Sequence, residues 1–159
     1  MTNRRQFLQT GLAGSLLLGI AGCTRPSAGN GRRAVIAAIA PVMLGRALPA
    51  SDRDTALART VDAVETAIDR LSLPAQQEIG ELFDLLAFAP TRMLAAGVWA
   101  DWPAASAADI GQFLESWRHS RFDLLKSGYA ALHDLIFGAW YAATENWPAI
   151  GYPGPPEVK

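Results

Sequence analysis

Residues 122–142 read FDLLKSGYAALHDLIFGAWYA, and this stretch decides the fold. Its apolar side chains recur every three or four residues, which is the spacing of one face of an α-helix. We therefore predict one long helix from about Phe122 to Ala142. The apolar stripe on that helix comprises Phe122, Leu125, Tyr129, Leu132, Ile136 and Trp140.

Three earlier segments show the same spacing, each after its own start signal. Ser51 followed by Asp54 forms a capping pair before the first, Pro74 opens the second, and Ser106 followed by Asp109 caps the third. The three stripes are Leu57, Val61, Val64, Ile68 and Leu71; then Ile79, Leu82, Phe83 and Leu86; then Ile110, Phe113, Leu114 and Trp117.

Prolines divide the remaining apolar sequence. Residues 34–45 carry no charge and are too short to span a membrane, so they predict a buried helix that Pro41 kinks or divides and Pro49 stops. Pro90 ends or bends the helix after Pro74, and a short successor runs from Thr91 to Gly97. No segment alternates as a strand does. The fold class predicted is all-α: a small bundle of five or six helices.

Composition excludes several classes of protein. The 159 residues suggest one domain, and with half of them hydrophobic and 18% charged the chain is globular. A formal net charge of −1 leaves no basic surplus for a nucleic-acid backbone, so no nucleic acid is expected as a partner. The single cysteine rules out an intrachain disulfide.

The first 22 residues have the composition of an export signal. The pair Arg4 and Arg5, followed by Phe7 and Leu8, is typical of a twin-arginine signal, which the Tat translocase recognises to export folded proteins. The uncharged run that follows, Thr10–Gly22, is too short to span hydrocarbon. We therefore predict a periplasmic protein.

Cys23 follows Ile-Ala-Gly, a tetrad typical of a bacterial lipobox, in which the cysteine is lipidated and becomes the new N-terminus. A plain secretory signal with an incidental cysteine is the alternative. With lipidation, residues 1–22 are a cleaved signal peptide, 23–33 a flexible tether and 34–159 the helical domain. The chain would then be held at the membrane by its lipid.

No catalytic, cofactor-binding or metal-binding residue is predicted. Glu78, Glu81 and Asp84 share one helix face. A carboxylate metal site there would also need histidines from a second helix, and no helix in the sequence supplies them, so we expect a solvated face. His133 lies alone on the long helix and suits packing or hydrogen bonding better than catalysis. Phosphate-binding glycine loops and a haem-attachment motif are absent from the sequence.

Aromatic residues are concentrated after position 98, where all five Trp and all three Tyr occur. The sequence from Leu135 to Thr144 carries no charge, so we expect another segment or a partner to cover the apolar surface of the last turns of the long helix. The proline-rich tail 145–156 predicts an extended strap. Either the strap folds back on its own helix, or helix end and strap form a docking surface for another protein. The predicted interface residues are Phe137, Trp140, Tyr141, Trp147, Ile150, Tyr152 and Pro153.

Four stretches carry a family resemblance: Leu114–Arg118, Tyr129–Leu132, Ile136–Tyr141 and above all the tail Trp147–Pro156, which ends in Gly-Tyr-Pro-Gly-Pro-Pro. They resemble the small subunit of membrane-bound FAD-dependent sorbitol dehydrogenase, whose relatives serve fructose, glucose and gluconate dehydrogenases. The resemblance covers the export signal, most of the helical body and the tail.

The resemblance implies a complex in which this chain binds no cofactor. The large subunit is an FAD-dependent flavoprotein of the glucose–methanol–choline type that oxidises a sugar or polyol. A multihaem cytochrome c subunit, carrying haem c, takes the electrons toward quinone. The small subunit supports folding and export of the flavoprotein. The lipobox at Cys23 departs from what can be assumed across the family, which leaves open which subunit supplies the membrane anchor.

Two other functions remain open from the sequence. A free-standing periplasmic lipoprotein would use the aromatic half to line a pocket for a small ligand or to bind an envelope partner. An enzyme using His133 is the remoter alternative, because no residue that would orient a base accompanies it in the sequence.

Overall fold

The computed structural model describes residues 28–155, and within that range the chain is helical and has no strand. The predicted signal peptide and Cys23 lie outside the described residues, as do residues 156–159. The helices are α1 Ala28–Leu44, α2 Arg53–Asp69, α3 Leu73–Ala87, α4 Ala89–Thr91, α5 Ala107–Arg118 and α6 Asp123–Ala142. The predicted all-α bundle is confirmed.

Helix α1 is the centre of the bundle and packs against α2, α3, α5 and α6. The uncharged part of α1, from Ala34 to Leu44, allows this, because a helix segment buried on several sides has no face for charged groups. Val35, Ile36, Ile39 and Ala40 are all 0–1% exposed. Pro41 lies inside α1 and does not divide it, since the helix continues to Leu44 and is followed by a 3₁₀ turn, Gly45–Ala47.

The predicted boundary between tether and domain lies too late in the chain. Helix α1 begins at Ala28, so residues 28–33 are helical rather than part of a tether. Two ion pairs bind this first part of α1 to α2: Arg32 to Glu65, and Arg33 to Asp62 at 2.6 Å. The hydrogen bonds that the Arg32 guanidinium donates to the Glu65 carboxylate raise the pKa of Arg32 above its ordinary value, against the opposing effect of burial.

The predicted stripes form the core. Nine of their side chains are at most 6% exposed: Val61, Val64, Ile68, Phe83, Leu86, Ile110, Phe113, Leu114 and Trp117. On α6, Leu132, Ile136 and Trp140 are buried as well. Five further stripe residues are partly buried against this core: Leu57, Ile79, Leu82, Leu125 and Tyr129. Two stripe residues are exposed, and both lie just outside a helix: Leu71 follows α2 and is 36% exposed, and Phe122 precedes α6 and is 56% exposed.

One of the two predicted capping pairs forms. The Ser106 hydroxyl accepts a hydrogen bond from the Asp109 backbone N–H at 3.1 Å, as predicted for the start of α5. The pair at the start of α2 is wrong. Asp52 occupies the cap position there without a side-chain cap bond, and its carboxylate accepts instead from Arg59 at 3.2 Å.

The segment after Pro90 is a short successor helix, as predicted. Helix α3 ends at Ala87, and one α-helical turn, α4, leads directly into a π-helical turn, Arg92–Ala96. Gly97 stops this turn with φ of 70°, a left-handed conformation that glycine adopts without a Cβ clash. Gly97 is therefore the end of the successor helix.

The tail differs from the extended strap predicted for residues 145–156. Thr144–Ile150 form a 3₁₀ helix, and Gly151 reverses the chain with φ of 71°. The preference of proline for extended backbone is overridden here, since Pro148 lies inside the 3₁₀ helix, where its fixed φ is also acceptable. Of the described tail residues, 152–155 have no regular secondary structure.

Candidate docking surface

Four aromatic side chains follow one another along α6 at intervals of four residues. The ring centroids of Tyr129 and His133 are 6.1 Å apart, those of His133 and Phe137 4.5 Å, and those of Phe137 and Tyr141 5.9 Å. Side chains four apart share one helix face, so the spacing alone produces this row. We call these four residues the aromatic row.

The aromatic row borders a groove of about 460 Å³ between α1, α5 and α6. Val42 and Met43 of α1 form its apolar wall, and Glu115 and Arg118 of α5 its polar edge. His133 is 44% exposed and faces the Asp134 carboxylate at 3.1 Å, so the polar part of the row lies at its middle. From Leu135 to Thr144 neither the end of the helix nor the residues just after it carry a charged side chain.

The tail folds back onto the end of α6. The indole N–H of Trp147 donates to the Tyr141 carbonyl at 2.8 Å, and the Asn146 side-chain amide donates to the Trp140 carbonyl at 2.8 Å. The last four carbonyls of a helix have no partner within the helix, so both bonds satisfy groups that would otherwise need water. The 3₁₀ helix thereby caps α6.

Beyond the cap, the tail adds a second aromatic pair. The rings of Trp147 and Tyr152 meet edge to face with centroids 5.1 Å apart. Gly154, at φ of 99°, turns the chain where a Cβ would contact Trp147 at 3.4 Å. Tyr152 remains 46% exposed, and Tyr141 is 43% exposed. The two tyrosines thus flank a tryptophan that is itself held in place.

The structure divides the predicted interface residues into three groups. Phe137, Tyr141, Trp147, Tyr152 and Pro153 lie at the surface or are half-buried, so they are available for docking. Trp140 is 1% exposed, and its assignment to the interface is wrong: its position on the α6 stripe places it in the core. The backbone of Ile150 ends the 3₁₀ helix, but its side chain lies outside the described part of the structure.

The predicted folding of the tail back onto its own helix is confirmed for Asn146 and Trp147, whereas the predicted docking role stays a prediction. Trp147 has an intramolecular role through its bond to α6, whereas Tyr141 and Tyr152 still present large aromatic surfaces to solvent. We call Phe137, Tyr141, Trp147, Tyr152 and Pro153 the docking surface. Glu145, two residues before Trp147, contacts Arg59 of α2 at 4.0 Å, so charged side chains border the docking surface on the α2 side.

The acidic and histidine side chains that could have formed a catalytic or metal site do not come together. Glu78, Glu81 and Asp84 are exposed on α3. His119 contacts Glu115 at 3.2 Å on the surface of α5, and His133 belongs to the aromatic row. Within residues 28–155, no three His, Cys, Asp or Glu side chains are grouped to hold a metal ion.

The burial of Arg92 was not predicted from the sequence. Arg92 is 4% exposed, and its guanidinium binds the Val98 carbonyl at 3.2 Å and the Asp101 carboxylate at 2.9 Å. The two tryptophans near this arrangement differ in exposure, since Trp102 is buried while Trp99 is 75% exposed. The available signal was Arg92 itself, a lone charge within an otherwise uncharged run from residue 85 to residue 100.

Comparison with known protein families, with characterised proteins and with solved structures finds no match to this chain. None of the helices within residues 28–155 has both the length and the apolar character needed to cross a membrane.

Proposed function

We propose that this chain is the non-catalytic small subunit of a periplasmic FAD-dependent sugar or polyol dehydrogenase. It supports the folding, export and assembly of a flavoprotein of the glucose–methanol–choline type. The single observation that carries the proposal is the docking surface, where Tyr141 and Tyr152 remain exposed beside an uncharged helix end. The resemblance of the tail supplies the identity of the partner.

The docking surface suits protein recognition because it is preorganised. Trp147 is already bonded to the Tyr141 carbonyl, and the edge-to-face contact holds Tyr152 against it. Aromatic side chains held in this way lose little conformational freedom on binding. Tyrosine and tryptophan are also the residues that most often dominate interface energies, at roughly 2 kcal/mol or more each.

The export role follows from the chemistry of the cofactor. Flavin is inserted while the large subunit folds in the cytoplasm, so the loaded enzyme needs an exporter that accepts folded proteins. A bound partner can supply the signal, and Arg4, Arg5, Phe7 and Leu8 of this chain would then take both proteins to the Tat translocase. All four lie outside the described residues, so this step rests on the sequence alone.

The location we propose is the periplasmic face of the membrane, with a lipid on Cys23. Only residues 24–27 separate Cys23 from the start of α1, so lipidation would hold the bundle close to the bilayer. FAD belongs to the partner subunit, and haem c to a possible third subunit, a multihaem cytochrome c. No cofactor is assigned to this chain.

Purification through an affinity tag on this chain tests the partner. The proposal predicts that a yellow, FAD-containing protein accompanies it from the cells that naturally make both, and that the isolated chain has neither dehydrogenase activity nor bound flavin. A flavoprotein gene without its own export signal beside the gene for this chain would agree. Flavin bound to the isolated chain and surviving dialysis would contradict the assigned role.

An apolar groove favours a second function, that of a free-standing lipoprotein for a small ligand. The groove has a volume of about 310 Å³ and runs between α1 and the 3₁₀ turn Trp102–Ala104. Ala34, Ala38 and Pro41 line one wall, and Trp102 lines the other. Under this alternative the tagged chain would purify alone and carry a small apolar molecule, detectable by mass spectrometry after extraction.

A further inference from the structure

One groove on the surface of the bundle is lined entirely by apolar residues. It has a volume of about 310 Å³ and lies between α1 and the 3₁₀ turn that precedes α5. On α1 it runs from Ala34 to Val42, and Trp102 and Ile110 line the opposite wall. Every described residue that lines the groove is Ala, Pro, Val, Ile or Trp, so none of them carries a charge.

The one polar side-chain atom in this lining already has a partner. The indole N–H of Trp102 donates to the Leu86 carbonyl of α3 at 2.8 Å, and Trp102 itself is 4% exposed. A polar ligand would therefore give up its bonds to water and gain none from a lining side chain, which is costly. An apolar occupant loses no hydrogen bond and gains burial, so the groove favours one.

An apolar segment of the same chain precedes α1 in the sequence. The run Thr10–Gly22 has thirteen residues and no charge, and it lies outside the described residues. Its large side chains are Leu12, Leu16, Leu17, Leu18 and Ile20. Transfer of such side chains from water to an apolar surface is favourable, so this run matches the groove in chemistry.

The distances along the chain allow the run to reach the groove. Residues 23–27 join it to the start of α1 at Ala28, and five residues span up to about 17 Å when extended. The near end of the groove, at Ala34, is only about 9 Å along the helix axis from Ala28. The groove then follows α1 for about 12 Å, and thirteen residues cover that length even as a helix of about 20 Å.

Attachment to the same chain favours this run over a free ligand. A segment on a short linker has an effective concentration in the millimolar range near a site that it can reach. A small apolar molecule, the occupant considered above for the same groove, would need a comparable free concentration in the cell to compete.

We propose that the apolar run Thr10–Gly22 packs into the groove beside α1 in the full-length chain, so that the domain covers its own leader until the leader is removed. The contact depends only on the groove and on the sequence of the run. Its use before export rests on the proposed function, because an exporter of folded proteins receives the leader together with the folded bundle.

Photo-crosslinking in the full-length chain tests the contact. Cell-free synthesis without membranes supplies the uncleaved chain, and p-benzoyl-phenylalanine replaces Leu17. After irradiation at low protein concentration, mass spectrometry identifies the crosslinked residues. We expect an intramolecular product that joins position 17 to the α1 wall, residues 34–42, or to the opposite wall, residues 102–110.

A charge placed in the groove should remove this product. Ala38→Glu puts a carboxylate among the apolar side chains of the groove and should lower the crosslink yield by roughly tenfold or more. Ala58→Glu makes the same change at an exposed position of α2, away from the groove, and should leave the yield unchanged.

Thermal melting provides a readout that does not depend on a change within the bundle. Replacement of Leu16, Leu17 and Leu18 together by Ser alters only the leader, yet it should lower the melting temperature of the full-length chain by a few degrees, because apolar burial is lost. In a chain that already carries Ala38→Glu, the same triple replacement should have no further effect.

Four results would overturn the inference: no intramolecular product, a product that joins two copies, a product outside the groove, or a small apolar molecule extracted from the groove of the full-length chain. Co-purification of a flavoprotein is measured separately. If it succeeds while position 17 gives no product in the groove, the leader contact is wrong and the small-subunit role stands. If position 17 crosslinks to the groove and no flavoprotein co-purifies, the small-subunit role is wrong and the leader contact stands.

Discussion

Gly128 of α6 lies directly against the ring of Trp117 on α5. A Cβ added there would lie 2.6 Å from Cζ3 of Trp117, a buried ring that is also bonded to the Ala95 carbonyl. The ring has no free direction in which to move, because its other side meets Phe113 with centroids 4.9 Å apart. The absence of a Cβ at Gly128 therefore allows the Trp117 ring of α5 to pack directly against α6.

Gly128→Ala should lower the free energy of unfolding by about 1–3 kcal/mol, the usual effect of overpacking. The matched control is Gly138→Ala on the same helix, where a new Cβ meets nothing within 4 Å. Alanine favours helix over glycine, so the control should gain up to about 1 kcal/mol. Urea denaturation of both variants measures the difference, and a shift of the same sign in both would contradict the packing at Gly128.

Single residues also show why sequence reasoning stops short of a site. Trp140 and Tyr141 are neighbours of similar chemistry in the same uncharged stretch, yet one is 1% exposed and the other 43%. The α6 stripe already included Trp140, so its burial was predictable. The burial of Arg92 was not predictable, because it depends on the Val98 carbonyl and the Asp101 carboxylate, which the π-helical turn and Gly97 bring close to the guanidinium.

At the scale of the element, the N-termini of α5 and α2 differ in their side-chain capping. The Ser106 hydroxyl satisfies a backbone N–H at the start of α5, whereas no side chain does so at the start of α2. Ser106→Ala should therefore destabilise the protein by about 1 kcal/mol. Ser51→Ala serves as the control and should change stability by less than about 0.5 kcal/mol, as ordinary surface substitutions do. Equal losses in thermal melting would contradict the difference between the two caps.

The end of α6 depends on the tail. Trp147→Phe keeps an aromatic ring but removes the N–H donated to the Tyr141 carbonyl, so it should cost about 1 kcal/mol, the typical net value of one hydrogen bond. Trp99→Phe is the matched control, since Trp99 is 75% exposed and should tolerate the change. A Trp147→Phe variant as stable as wild type would mean that the tail does not cap α6.

The elements were largely predictable, because apolar spacing of three and four defines a helix without knowledge of its neighbours. The tail was not. Four prolines between residues 145 and 156 favour extended backbone, but Asn146 and Trp147 gain carbonyl partners on α6 only when the chain forms the 3₁₀ helix. Such tertiary bonds leave no periodic signal in the sequence.

At the scale of the whole molecule, the proposed twin-arginine export route can be tested at Arg4 and Arg5. Replacing Arg4 and Arg5 together by Lys should leave both this chain and its flavoprotein in the cytoplasm, because cofactor-loaded cargo cannot be threaded unfolded through another exporter. Fractionation followed by a dehydrogenase assay of periplasm and cytoplasm measures the outcome. Normal periplasmic activity in the double variant would show that the flavoprotein does not travel with this chain.

The ends of the molecule have separate tasks in this proposal. Arg32 and Arg33 bind the start of α1 to the second half of α2, close to where the lipid would be attached. Glu145, just after α6, contacts Arg59 in the first half of α2. Arg59 and Asp62 are three residues apart, so the start of α1 and Glu145 after the end of α6 contact α2 within about one turn of each other.

The decisive measurement is the amount of FAD that purifies with each mole of tagged chain. We predict a fixed molar ratio for the wild type. Tyr141→Ala combined with Tyr152→Ala should lower it severalfold, since two exposed hot-spot aromatics are lost. Leu124→Ala, on the same helix and 80% exposed, should leave it unchanged. If no flavin accompanies the wild-type chain, or if the double variant retains as much flavin as Leu124→Ala, the docking surface does not bind a flavoprotein.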